Sequence, residues 1–404
     1  MKSVISFSTL VFLGYSFLST ASIAQTPIIE AKSTNTVCDE PFSDWLKGVA
    51  DEARTKGVSE KSIEQLQNAK IDDKVLGRDR SQTVFNLTFA EFSKRVIPDY
   101  RLQKGKENLK NYADVFAKAE AEYGVPGPVI SAFWGLETDF GAVQGDFDTL
   151  NALATLAHDC RRPELFRPQL IALLQLFDQN VVDYKTTGAW AGEIGQMQLL
   201  PKDYLERGID GDGDGKVDLK NSAPDAIMTA AHMLNQLGWK RGEPWLEEVS
   251  LTREDLPWEQ AGRDNRHPIS QWKKWGVIEK HSPLNDERQA ALLLPMGRKG
   301  PAFLIYDNFD VFVEWNQSIV YATTVAYFAS RLADNPAFEL KEPIASLSTD
   351  EIKELQKKLE KHGYEMGKID GILGVKTRDA VRLEQLRLKL PADAWPTKEL
   401  LDAL

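Results

Sequence analysis

Residues 124–141 read GVPGPVISAFWGLETDFG. Pro128 suits the first turn of a helix, and the run predicts a helix over about 128–139. Ile130, Phe133, Trp134 and Glu137 follow one another at spacings of three and four, so they share a side. A carboxyl group among Phe and Trp is desolvated, which favours its neutral form. Such a group can hold a proton near neutral pH and give it to a leaving oxygen. The same pattern suits a structural Glu held by an arginine or by backbone donors, and periodicity alone leans to that reading. Asp139, two residues on, points away from Glu137.

Around this helix the chain predicts a mostly helical large domain with a small β element. In EPFSDWLKGVADEARTKGVS (40–59), Phe42, Trp45, Leu46 and Val49 share a face. NYADVFAKAEAEYG (111–124) is a helix closed by Gly124, and helical patterns recur at 163–183, 223–238 and 318–333. AALLLPMG (290–297) and PAFLIYDNFDVFVEW (301–315) are the most strand-like runs. Two prolines and weak periodicity between 334 and 346 mark a break, with the linker itself at 339–346. After it, Ile352, Leu355 and Leu359, then Ala380, Val381 and Leu388, outline a small three-helix unit. About 60 residues suffice for such a unit, though only marginally.

Hydrophobic residues make up 42% of the 404 and charged residues 27%, as in ordinary globular proteins. The net charge of −11 argues against nucleic-acid binding. MKSVISFSTLVFLGYSFLSTASIA (1–24) reads as a cleaved secretory signal, with Lys2 ahead of an apolar run and Ser22-Ile23-Ala24 at the cut. Ser and Thr interrupt that run too often for a retained membrane anchor. Export and a single cysteine pair suggest a Cys38–Cys160 disulfide.

Three further segments carry candidate chemistry. In AWAGEIGQMQLLP (189–201), Gly192 and Gly195 allow close backbone approach, and Gln198 is a polar side chain on an apolar run. Asp210, Asp212, Asp214 and Gly215 fit the start of a calcium loop, with the Lys216 carbonyl at the seventh position. Asn221 stands where a bidentate Glu is usual, so Asp218 or Asp225 would close the shell. The ion would be Ca²⁺, or Na⁺ at a weak site; the other reading is a solvated acidic turn. In FVEWNQSIVYATTVAYFASRL (312–332), Trp315, Asn316 and Tyr321 suit either sugar rings or a core edge. G-x-S-x-G, H-E-x-x-H and P-loop patterns are absent, the five His residues are scattered, and no organic cofactor is indicated.

Taken together, these residues resemble the membrane-bound lytic transglycosylase B family, bacterial cell-wall enzymes of lysozyme-like α+β fold. The resemblance spans roughly 38–335 and is most specific in GLETDFG followed by GDFDTLNALATLAHDCRRPELF (145–166). The C-terminal segment resembles a small peptidoglycan-binding domain in LQKKLEKHGY, GKIDGILGVKTRDAV and LPADAWPT. The resemblance implies a catalytic domain at 25–338 and a wall-binding domain at 347–404. It implies a periplasmic enzyme acting on peptidoglycan glycan strands, cutting between N-acetylmuramic acid and N-acetylglucosamine without water. By it, Glu137 is acid and then base, Gln198, Asn316, Tyr321 and Trp315 hold the sugars, and Asp210, Asp212, Asp214, Lys216 and Asp225 hold the ion. A loop usually reading Gly-Ala-Met-Gly-Tyr-Gly-Gln-Phe here reads Gly192-Glu193-Ile194-Gly195-Gln196-Met197-Gln198-Leu199. In the small domain, Glu384-Gln385 replaces the usual Phe-Gln, an expected weak point in packing. A hydrolytic muramidase and a non-catalytic wall scaffold are the alternatives.

Overall fold

The computed structural model describes residues 40–80, 87–340 and 343–404. The expected signal segment, Cys38 and linker residues 341–342 lie outside them. Among the described residues no helix is long and apolar enough to cross a membrane.

The architecture is mainly helical, and its centre is the helix Gly127–Thr138. Val129, Ile130, Phe133 and Trp134 on it are at most 2% exposed. Helix Ile319–Leu332 packs directly along it. Gly135 makes that approach possible: a Cβ there would lie 2.8 Å from Phe140 and 2.9 Å from Phe328. Helices Thr149–His158 and Pro163–Asp178 form a second packed pair. Helix Phe42–Thr55 lays Trp45, Val49 and Ala53 onto this body, as their spacing predicts.

A five-stranded antiparallel sheet sits to one side, in the order Arg266–Pro268, Gln289–Leu293, Ala302–Ile305, Leu246–Leu251, Val277–Glu279. Its register pairs Val249 with Ala302 and Leu251 with Val277. Trp272, Leu292 and Leu304 form a separate apolar cluster on it.

The strand-like reading of 301–315 needs correction. Only Ala302–Ile305 is a strand, and Asp307–Trp315 is a helix. Asp307 places negative charge at the helix start. Phe309, Phe312 and Val313, at helical spacing, are buried. This change of element aims Trp315 at the Glu137 helix, with ring centroids of Phe133 and Trp315 4.6 Å apart.

The C-terminal unit has helices Thr349–Lys361, Val375–Arg387 and Lys398–Ala403 around Leu355, Leu359, Val381, Leu400 and Leu401. The expected weak packing at Glu384-Gln385 does not occur, because both polar side chains are buried with partners. Glu384 accepts from Tyr364 and Arg387. Gln385 donates to Asp393 and to the Trp395 carbonyl. The unit docks on the larger body through buried Asp393, which accepts from Arg298 at 3.0 Å. Trp395 lies against Gly297, where a Cβ would come within 2.6 Å of it.

Candidate active site

Gly124, at φ 77°, ends helix Ala113–Tyr123, and Pro126 and Pro128 start the Glu137 helix. The far end stops abruptly, since Asp139 and Phe140 adopt φ of 52° and 60°. Left-handed backbone costs a non-glycine residue about 1–2 kcal/mol. Local contacts offset that cost. Arg101 Nε donates to Asp139 at 2.8 Å, Tyr100 donates to it at 3.1 Å, and Phe140 meets Trp134 edge-on at 5.5 Å. Asp139 is thereby fixed on the Arg101 side, away from Glu137.

The glycine-bearing loop is stitched to the same helix. Trp134 Nε1 donates to Gln196 Oε1 at 3.0 Å, and Thr138 Oγ1 donates to the Gln196 carbonyl at 2.6 Å. Ile194 and Leu199 bridge each other. Gln198 sits at φ 50° and spends its amide N–H groups on the Gln144 and Gly195 carbonyls.

Among the described residues no arginine is bonded to Glu137. Trp315 Nε1 donates to its Oε1 at 3.0 Å, and the Tyr321 hydroxyl donates to the same oxygen. Oε2 takes no hydrogen bond from the described residues. Burial pushes the Glu137 carboxyl up to about 7, against the pull of the Tyr321 and Trp315 hydrogen bonds, and the charge of Glu193 adds to the rise. With both donors on Oε1, the proton of the neutral acid belongs on Oε2. Burial and the Glu137 charge hold the Tyr321 hydroxyl well above the usual phenol range, so it stays a donor. Asn316 lies between these two residues in the chain, and its Oδ1 accepts from Ser318 N–H at the start of the Tyr321 helix.

Carboxylate oxygens of Asp210, Asp212 and Asp214 all lie within 4.8 Å of one another. Backbone N–H groups shape them: Gly213 and Gly215 donate to Asp210, Asp214 to Asp212, and Lys216 to Asp214. An all-oxygen trio of this kind fits a hard cation. Asp225 stands apart from the trio. It is buried, and its two oxygens accept from Gly211 at 2.8 Å and Asp218 at 2.6 Å. It braces the loop from inside, where the sequence suggested a ligand.

Sequence reasoning missed Gln196 and Arg101, the residues that fix the loop and the end of the Glu137 helix. Thr138, beside Glu137 in the chain, was the available signal, because a buried Thr at a helix end needs a partner.

Comparison with known proteins agrees with this geometry. The Transglycosylase SLT domain family matches residues 41–330, and the peptidoglycan binding domain family matches 348–404. The chain is 30% identical over 243 residues to membrane-bound lytic murein transglycosylase B of Escherichia coli (strain K12), covering 59% of this chain and 66% of that protein. The crystal structure of SltB3 from Pseudomonas aeruginosa in complex with NAG-anhNAM-pentapeptide aligns with a TM-score of 0.83 and 32% identity, over 90% of this chain and 99% of that one. Escherichia coli lytic transglycosylase Slt35 in complex with calcium aligns at 0.63 with 28% identity, over 73% of this chain and 93% of that one. With its larger body matched over most of its length and its site built on that body's central helix, the chain belongs to the Transglycosylase SLT domain family, the lytic transglycosylases.

Proposed function

We propose that the chain cleaves the bond between N-acetylmuramic acid and N-acetylglucosamine in peptidoglycan, with Glu137 as the single acid and base. Glu137 Oε2 gives its proton to the glycosidic oxygen as the bond to the muramic C1 breaks. The resulting carboxylate, held by Trp315 and Tyr321, then takes the proton of the muramic C6 hydroxyl as that oxygen bonds to C1. A 1,6-anhydro ring closes, no water is consumed, and Glu137 ends protonated. Most glycosidases divide these tasks between two carboxylates. The observation that carries the reading is the carboxyl held near neutral pKa by burial, with both protein donors on one oxygen and none of the described residues donating to the other. The NAG-anhNAM-pentapeptide bound to the similar SltB3 structure supports the anhydro product.

In this reading Gln198 and Asn316 hold the sugars, Trp315 and Tyr321 border them, and the small domain binds the wall. The acidic loop holds Ca²⁺ through Asp210, Asp212, Asp214 and the Lys216 carbonyl, as a structural clip. A cleaved signal at 1–24, a periplasmic location and a Cys38–Cys160 disulfide complete the proposal.

Mass analysis of fragments from purified wall tests it. Muramyl ends lighter by one water are the expected product. Fully hydrated ends assign the same site to a hydrolytic muramidase, and binding without turnover assigns it to a scaffold.

A further inference from the structure

The glycine-bearing loop runs from strand Thr187–Gly188 to Leu199 and carries Gln198. One residue, Lys220, holds it on both sides. At the entrance, the half-buried Lys220 ammonium donates to Thr186 Oγ1 at 2.9 Å and to the Thr187 carbonyl at 3.0 Å. At the far side, the Lys220 carbonyl accepts from Gln144 Nε2 at 2.9 Å and from Gln196 Nε2 at 3.3 Å. The neighbouring Leu219 carbonyl accepts from Gln196 N–H at 2.8 Å. Gly195 lets the two segments meet this closely, since a Cβ there would lie 2.6 Å from the Leu219 carbonyl oxygen. Lys220 is fixed in turn by its own N–H, which donates to Asp218 Oδ1 at 3.1 Å.

These contacts lead on to the candidate active site. The Gln144 carbonyl accepts from Gln198 Nε2 at 3.2 Å. Gln196 accepts from Trp134 and Thr138, both on the helix of Glu137. At the entrance, Gly188 and Thr187 pair with Phe147 and Asp148 of the strand opposite. Gln198 itself sits at φ 50°, a conformation that a non-glycine residue keeps where its surroundings over-determine it. The ammonium is well suited to such a restraint, because hydrogen bonds from a charged donor are roughly twice as strong as neutral ones.

We propose that Lys220 is a positioning residue of the catalytic centre: its ammonium holds the entrance of the glycine-bearing loop and its carbonyl the far side, and together they set the Gln198 side chain against the sugars. This rests on Gln198 holding the sugars, as proposed above. Lys220 acts through Gln198 and takes no part in the proton transfers.

The test is a double-mutant cycle on soluble glycan fragments prepared from purified wall, with kcat and KM measured separately. Lys220→Met keeps the aliphatic stem and the backbone carbonyl and removes the ammonium. KM should rise about three- to tenfold, the scale of one hydrogen bond, with kcat nearly unchanged. In a Gln198→Ala background the same substitution should leave KM within about twofold, because the residue it acts through is gone. Thr186→Val removes one acceptor of the ammonium and should give a smaller rise that also vanishes in that background. A wild-type KM in Lys220→Met overturns the proposal. So does an equal rise in both backgrounds, because Lys220 then supports the fold and not Gln198. Should Lys220→Met fail to fold, Thr186→Val decides by the same criteria. A wild-type KM in Gln198→Ala alone removes the sugar-holding reading of Gln198, whereas a raised one beside an unaffected Lys220→Met removes only the role of Lys220.

Discussion

Trp315 Nε1 donates to Glu137 Oε1 across 3.0 Å, joining residues 178 positions apart in the chain. The indole is held in turn against Phe133, on the same helix as Glu137. An N–H on the carboxylate favours its charged form. Trp315→Phe keeps the ring and loses the donor, so Glu137 should hold its proton to higher pH. The step in which Glu137 takes a proton should slow. A loss of about 10²-fold in kcat is expected for one donor at a developing charge, and stopped-time product counts on purified wall measure it. Tyr321→Phe should act in the same direction.

The Glu137 pKa carries a stability signature. A carboxyl at about 7 in the folded chain, against an ordinary 4.5, binds its proton more tightly when folded. Its stabilising contribution is complete below about pH 4.5 and is lost as pH rises through 7. The full shift corresponds to about 3 kcal/mol. Glu137→Gln should therefore gain about that much relative to the wild type between pH 4 and pH 8, read by denaturant unfolding at both values. Equal pH dependence of the two proteins would mean that the carboxyl is not desolvated.

The acidic loop predicts a metal effect on stability separable from catalysis. Calcium at 100 times its dissociation constant should stabilise the fold by about 2.7 kcal/mol. The Tm rise should vanish in Asp212→Asn and Asp214→Asn. Well below the melting temperature, a chelator should leave the anhydro product unchanged.

Gly135→Ala tests the closeness of the two central helices. The added methyl meets Phe140 and Phe328 below 3.0 Å. Overpacking of this kind costs about 1–3 kcal/mol, and Phe328→Leu in the same chain should recover part of it.

The central helix was legible in the sequence because its signals are local: Gly124 and Pro128 at its start, and a nearly continuous apolar run within it. The sheet was less so. Leu246–Leu251 reads LEEVSL, whose two charges hide a strand that exists only through its partners at 277–279 and 302–305. The run 301–315 changes element at Tyr306, and its apolar residues fit either period until Asp307 is recognised as a helix start. Glu137 could be singled out by its neighbours in the helix, but Trp315 and Tyr321 reach it from another part of the chain. Only folding shows that both donors land on one oxygen. The partners of Asp225 were hidden for the same reason, since an Asp near a calcium-type loop reads as a ligand until its backbone contacts are seen.

The assignment of one carboxyl to both proton transfers is tested most directly by Glu137→Gln acting on purified cell wall, with released fragments weighed by mass spectrometry. The account predicts a folded protein that binds wall and releases no anhydromuropeptides. Release near the wild-type rate would contradict it.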